Sequence, residues 1–355
     1  MKKTALTTLQ IVVTLAILFL VFRDPAKRAE MARALGTADR AWLFAGLAIY
    51  GGVELLAAFR WQILLRVQGI ALSALRVLQL VMIGVFFNFF IPGGTGGDVV
   101  KIFYLLKETP GQRSGALLSV LVDRLVGLLA LILMAGFFIV ARWDWLVSTP
   151  ETAKAVWTGL TILGFSVASV GASFFLTSFG LIHKLPPKMP GRDKLAEMAL
   201  AYNLYGRAWR PTLVTVLISV AAHFGYFGTF YCAAKAFHTG GGAIPTYGEL
   251  CAILPIINTI AAMPVSLGGL GVREGLFQIF LVPLCGVTGA VAVIMSSTGY
   301  FLTLVWGLIG GALYLFYRPS EHARLREMET EVAAFEHTVA EEEVALETAG
   351  KKDRG

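Results

Sequence analysis

Apolar residues in this chain are gathered into long blocks, and no other feature restricts the possible folds as much. The blocks are Leu6–Phe22, Trp42–Phe59, Val77–Ile91, Gly115–Val140, Ala155–Leu176, Leu213–Ala234, Leu250–Met263 and Val291–Tyr317. At about 1.5 Å per helical residue, most of them reach across a hydrocarbon core of roughly 30 Å. Only 15% of the residues are charged, against about a quarter in soluble domains. The chain is therefore expected to be an all-α, polytopic membrane protein. The N-terminal block could be a cleaved signal peptide. Its length, and the charged residues that follow it in place of a small-residue cleavage site, favour a retained first span.

Two blocks, Val77–Ile91 and Leu250–Met263, are too short to span and run into proline and glycine. Lys and Arg favour the cytoplasmic side of short loops. The richest cluster lies in Gly180–Arg210, with Lys184, Lys188, Arg192, Lys194, Arg207 and Arg210. Placing it inside puts both ends of the Val77–Leu106 stretch inside and both ends of Leu250–Val282 outside. Each stretch must then enter the membrane and return to the side it came from. The loop Arg23–Arg40 resists this scheme, since five basic residues are assigned outside against Asp24, Glu30 and Asp39.

The two interruptions share a pattern. "NFFIPGGTGGDVVK" has Pro92, then Gly96 and Gly97 at offsets four and five, then Lys101 at nine. "NTIAAMPVSLGGLGVREGLF" has Pro264, then Gly268 and Gly269 at the same offsets, then Arg273 at nine. Asn88 and Asn258 precede the prolines at different distances. Repetition in oppositely facing segments predicts two inverted repeats, about 1–145 and 150–318, each with a re-entrant broken-helix pair. Broken helices that meet near the midplane are a recurring transporter architecture. Residues 319–355 form a charged tail, expected in the cytoplasm.

Irregular backbone at membrane depth must be covered by protein or line a wet cavity. Proline ends a helix, glycine permits the turn, and a helix that restarts offers free N–H groups to an anion. Candidate binding residues are accordingly Asn88, Pro92, Gly96, Gly97, Asp98, Lys101, Asn258, Pro264, Ser266, Gly268, Gly269, Arg273 and Glu274. Asp98 has the wrong sign for an anion site, and its alternative partners are Lys101 and Arg124. Asp123, Arg124 and Glu54 lie within apolar blocks, where an unpaired charge costs a few kcal/mol or more, and they join the candidates. Adjacent Asp123 and Arg124 point about 100° apart on a helix, so each needs a partner elsewhere. Arg60 and Trp61 read more simply as interface anchors. The competing structural interpretation of both motifs is a buried turn whose charges pair with one another.

"GGTGGD" lacks the Gly-Lys-Ser/Thr of a phosphate-binding loop, so no nucleotide is expected. No CxxC or HExxH spacing points to a metal, and no cofactor is expected. With no nucleophile set either, the chain is expected not to be an enzyme.

"FRWQILL" (Phe59–Leu65), "NFFIPGGTGGDVVK", Asp123-Arg124 followed by Gly127, and "MPVSLGGLGVREGLF" resemble the transmembrane (flippase-like) domain family named for lysylphosphatidylglycerol synthase. The resemblance covers roughly residues 5–317 and does not extend to an aminoacyltransferase domain. It implies movement of a phosphate-bearing lipid between leaflets: a phospholipid, an aminoacyl- or glycolipid, or a polyprenyl-phosphate lipid. Lys101, Arg124 and Arg273 would hold the anionic headgroup. Asp98, Asp123, Glu54 and Glu274 would balance those cations or bind an amine or sugar hydroxyl. The alternatives are a membrane-embedded enzyme that modifies headgroups, with Asp98 or Asp123 as base, and an accessory subunit of a lipid synthase. The expected location is the cell (inner) membrane with both termini cytoplasmic. A homo-oligomer and a lipid-synthesising enzyme are the protein partners that fit, and nucleic acid is not.

Overall fold

The computed structural model describes residues 25–90, 96–109, 112–178, 204–238, 243–263 and 265–317, with a few isolated positions beyond them. These residues are helices joined by short turns and loops, with no strand among them. In chain order the helices are α1 (Pro25–Gly36), α2 (Arg40–Val67), α3 (Ala74–Phe90), α4 (Gly96–Glu108), α5 (Arg113–Ala141), the short α6 (Trp143–Leu146) and α7 (Pro150–Ser178). They continue with α8 (Trp209–Ala236), α9 (Tyr247–Ala261), α10 (Val272–Cys285) and α11 (Gly289–Phe316). Helices α2, α5, α7, α8 and α11 are long and apolar enough to cross a membrane. Their large outward side chains, among them Phe137, Trp157, Phe165 and Phe316, are exposed in the isolated chain, as lipid contact requires. Apart from isolated positions, the Leu6–Phe22 block and the tail lie outside the described residues.

Local chemistry sets the helix ends. Asp39 caps α2 by accepting from the Ala41 N–H at 2.8 Å. Thr246 and Glu249 form a reciprocal capping box on α9. Gly286 closes α10 in a left-handed conformation. Thr288 caps α11 and donates to Glu30 at 2.7 Å, which ties α1 to the start of that helix. The stretch expected to be the Arg23–Arg40 loop is thus largely the helix α1.

Helix α2 defines the two ends of the bundle. At its start, the Asp39 N–H donates to the Ala236 carbonyl at the end of α8. Near its other end, the Tyr205 hydroxyl donates to the Leu64 carbonyl, and Gln112 donates to the Gly69 carbonyl. Helices α3 and α4 form an antiparallel hairpin. Arg76 and Glu108 pair at 2.7 Å at its open end, and the Gly97 N–H donates to Asn88 at 2.9 Å near its tip. Tyr317, closing α11, also donates to Glu108. Helices α9 and α10 form a second hairpin, with Ala243 beside Gly286 at its open end and Ala261 beside Gly269 near its tip. The first hairpin opens where α2 ends, and the second opens where α2 begins.

Each hairpin has its own hydrophobic core. Leu64, Leu80, Phe103 and Leu118 belong to the cluster around the first. Phe227, Ile253, Phe277 and Val293 belong to the cluster around the second. Helix α11 bridges them, with its Gly299 against Phe230 and its Gly310 against the Met82 backbone of α3.

Candidate functional site

The hairpin tips come together about midway along the long helices. Phe89, at the end of α3, packs edge-on against Tyr300 with ring centroids 5.3 Å apart. The Arg273 guanidinium lies 4.8 Å from the centre of that same Tyr300 ring. Tyr300 therefore links the first tip to the second. Pro92 and Pro264 lie outside the described residues.

A cavity of about 730 Å³ opens beside this junction. Its walls include Tyr50, Arg60, Asp123, Arg124, Ser219, His223, Tyr226, Asn258, Ser266, Gly268, Gly269 and Arg273. Tyr50 to Arg60 covers about 15 Å of α2, clear of both helix ends, so the cavity lies deep in the bundle.

Most of the charges here are already partnered. Arg60 donates from Nε to Asp123 at 2.8 Å and from Nη1 to the Ser219 hydroxyl at 2.9 Å. Lys101 lies 3.7 Å from the other Asp123 oxygen and 4.2 Å from the centre of the Trp61 ring. One carboxylate thus holds two cations from different helices. Arg124 grips Asp98 through two parallel bonds of 2.7 and 2.8 Å, the geometry that suits a guanidinium and a carboxylate. Of the two partners open to Asp98 on sequence, Arg124 is the one it takes. Arg60 and Trp61, expected at the interface, are instead internal: Trp61 is fully buried, and its indole donates to Ser119 at 3.3 Å.

At each restarting helix one backbone N–H is already taken. The Gly97 N–H is taken by Asn88, and the Gly271 N–H donates to Glu274 at 2.7 Å. The second Glu274 oxygen accepts from Ser296 at 3.2 Å. Glu274 thus acts as a helix cap within this structure, and Asn88 does the same for α4. Gly96 and Gly97 are buried in the first hairpin. Glu54 is buried on α2 about one turn from the wall residues Tyr50 and Ala57, within electrostatic reach of Lys101 and Arg60. Asn258 lines the cavity from α9.

Arg273 differs from the other cations. It is 9% exposed, and its Nε and Nη1 atoms are fully buried with no hydrogen-bond partner among the described residues. The Ser266 hydroxyl, on the turn that precedes α10 and lining the same cavity, is likewise buried and unpartnered among the described residues. Gly268 and Gly269 make room for this arrangement. Both have positive φ, 58° and 76°, and a Cβ at Gly268 would stand 2.8 Å from the Tyr300 hydroxyl. Among the described residues, no group of three or more His, Cys, Asp or Glu could hold a metal ion.

The sequence motifs mark Arg273, Ser266 and the glycines but not Tyr300, Ser219 or Tyr226. A lone Ser or Tyr in an apolar helix carries no signal until the fold supplies its neighbours.

The family model described as "Lysylphosphatidylglycerol synthase TM region" matches residues 7–311. The chain is also 22% identical over 294 residues to the "UPF0104 membrane protein PH1989" of Pyrococcus horikoshii, an alignment covering 78% of this chain and 88% of that one. Both hairpins, Tyr300 and every wall residue of the cavity fall within the matched span. The chain is a multi-pass membrane protein and belongs to the lysylphosphatidylglycerol synthase transmembrane-region family.

Proposed function

We propose that this protein is a lipid flippase, which moves a lipid with an anionic, phosphate-bearing headgroup between leaflets while its tails remain in the bilayer. The observation that carries this reading is the deep cavity walled by charged and polar side chains, beside which hairpins opening at opposite ends of the bundle meet. A headgroup crossing hydrocarbon unaided loses its hydration, and polar walls at mid-depth lower that barrier. Each hairpin is taken to dip into the membrane and return to its own side, as inverted repeats in transporters do. No ATP-binding motif occurs in the sequence, so transport is downhill or coupled to an ion. The protein is assigned to the cell membrane with both termini cytoplasmic.

Purified protein in proteoliposomes is expected to accelerate leaflet exchange of a labelled lipid bearing a phosphate. No acceleration with phospholipid, aminoacyl-phospholipid or polyprenyl-phosphate lipid would sink the proposal. Mass spectrometry of the same lipids separates transport from headgroup chemistry, because flipping leaves lipid mass unchanged. A mass change would favour a headgroup-modifying enzyme.

A further inference from the structure

We propose that Arg273 and Ser266 are the seat of one phosphate group, and that Arg60, Lys101 and Arg124 do not hold it directly. This assignment rests on the flippase reading for its source, a lipid headgroup, but not for its chemistry. A buried guanidinium with unpartnered donors is costly, because desolvation is not repaid by a hydrogen bond or a counter-ion. Among the described residues, the unsatisfied buried donor atoms at this site are Arg273 Nε, Arg273 Nη1 and the Ser266 hydroxyl. They are carried by two side chains, so they do not form one flat fork. A tetrahedral anion can offer oxygens in several directions, whereas a carboxylate offers two in a single plane. Tyr300 contacts the guanidinium, an arrangement that stabilises the cation while leaving its N–H groups available. Glycines at 268 and 269 let the backbone come close to the anion.

The other cations are committed. Arg60 and Lys101 share Asp123, and Arg124 is held bidentately by Asp98. An incoming phosphate would have to break those pairs to use them. The repeated cation at offset nine therefore has two roles: Lys101 binds the fold together and Arg273 binds the ligand.

The full chain in detergent can be titrated with inorganic phosphate and, separately, with a short-chain phosphatidylglycerol, following the thermal unfolding midpoint. The lipid is expected to stabilise the wild type. For Arg273→Gln the apparent dissociation constant should rise about 10- to 100-fold, the effect of losing a charge-assisted contact. Ser266→Ala should weaken binding by about fivefold, and Arg124→Gln should bind within about threefold of wild type. Without ligand, Arg273→Gln should melt no lower than wild type, because it removes an unpaired buried charge. A clear drop in that midpoint would assign Arg273 a structural pairing role and overturn the seat, as would equal affinity in wild type and Arg273→Gln. Stabilisation by inorganic phosphate alone, with no response to the lipid, would overturn the lipid source. Wild-type leaflet exchange by Arg273→Gln would overturn the seat and spare the flippase reading. Intact Arg273-dependent binding without exchange by the wild type would do the reverse.

Discussion

Asp123→Ala is expected to destabilise the protein by about 3–5 kcal/mol, because it strands the buried Lys101 and the partly buried Arg60 at once. Asp123 is the shared anion of Arg60 at 2.8 Å and Lys101 at 3.7 Å. Without it, Arg60 keeps the Ser219 hydroxyl and Lys101 the face of Trp61, while Glu54 lies within electrostatic reach of both but forms no ion pair with either among the described residues. Neither contact neutralises a charge, and neither side chain reaches bulk water easily. Asp98→Asn offers the internal comparison. It breaks the pair with Arg124, whose side chain is 52% exposed, so the loss should stay near 1 kcal/mol or below. Unfolding of the two variants in the same detergent checks the ordering. Adding Lys101→Met to Asp123→Ala removes one stranded cation and should recover part of the loss, a coupling readable from a double-mutant cycle. If Asp123→Ala and Asp98→Asn unfold alike, the shared carboxylate does not hold the site together.

The same cluster shows how far the sequence could be read. The blocks of apolar residues locate the long helices, because length and hydropathy are local properties. The common offsets of Pro92, Gly96, Gly97 and Lys101 with Pro264, Gly268, Gly269 and Arg273 single out the two hairpins for the same reason. Pairing is not local. Arg60 meets Asp123 across 63 positions and Ser219 across 159, and no spacing rule joins them. Arg60 and Trp61 therefore read as interface anchors, although the fold draws them inside. Lys101 and Arg273 occupy equivalent motif positions and look interchangeable in sequence. Only the fold supplies Asp123 to one and leaves the other's Nε and Nη1 without a partner among the described residues. Helix restart behaves in the same way. The motif alone offers free N–H groups to an anion, and only the fold shows that Asn88 and Glu274 each take one of them.

Gly97→Val should be as damaging as the loss of Asp123, but through contact and not charge. A Cβ at Gly97 would overlap the Gly84 carbonyl oxygen and stand 2.7 Å from the Asn88 side chain. Asn88 could swing away only by releasing the Gly97 N–H it caps. The Gly84 carbonyl is backbone and cannot move without shifting α3. That helix is itself pinned, because Gly310 of α11 packs so closely on Met82 that a Cβ there would strike the Met82 carbonyl. The substitution must therefore either separate the first hairpin or push it off α11, and about 3 kcal/mol or more is expected, at the upper end for overpacking. Gly310→Val should match it from the other side of α3. Gly136→Ala is the control: nothing lies within 4 Å of its Cβ, and replacing a mid-helix glycine should gain roughly 0.5–1 kcal/mol. Thermal unfolding of the three variants, with leaflet exchange measured on those that remain folded, tests the packing. Because Phe89 on α3 reaches Tyr300 and Tyr300 meets Arg273, any Gly97 variant that displaces α3 yet stays folded should also lose exchange. A Gly97→Val protein as stable and as active as wild type would show that the close approach of α3 and α4 is not what positions the two tips.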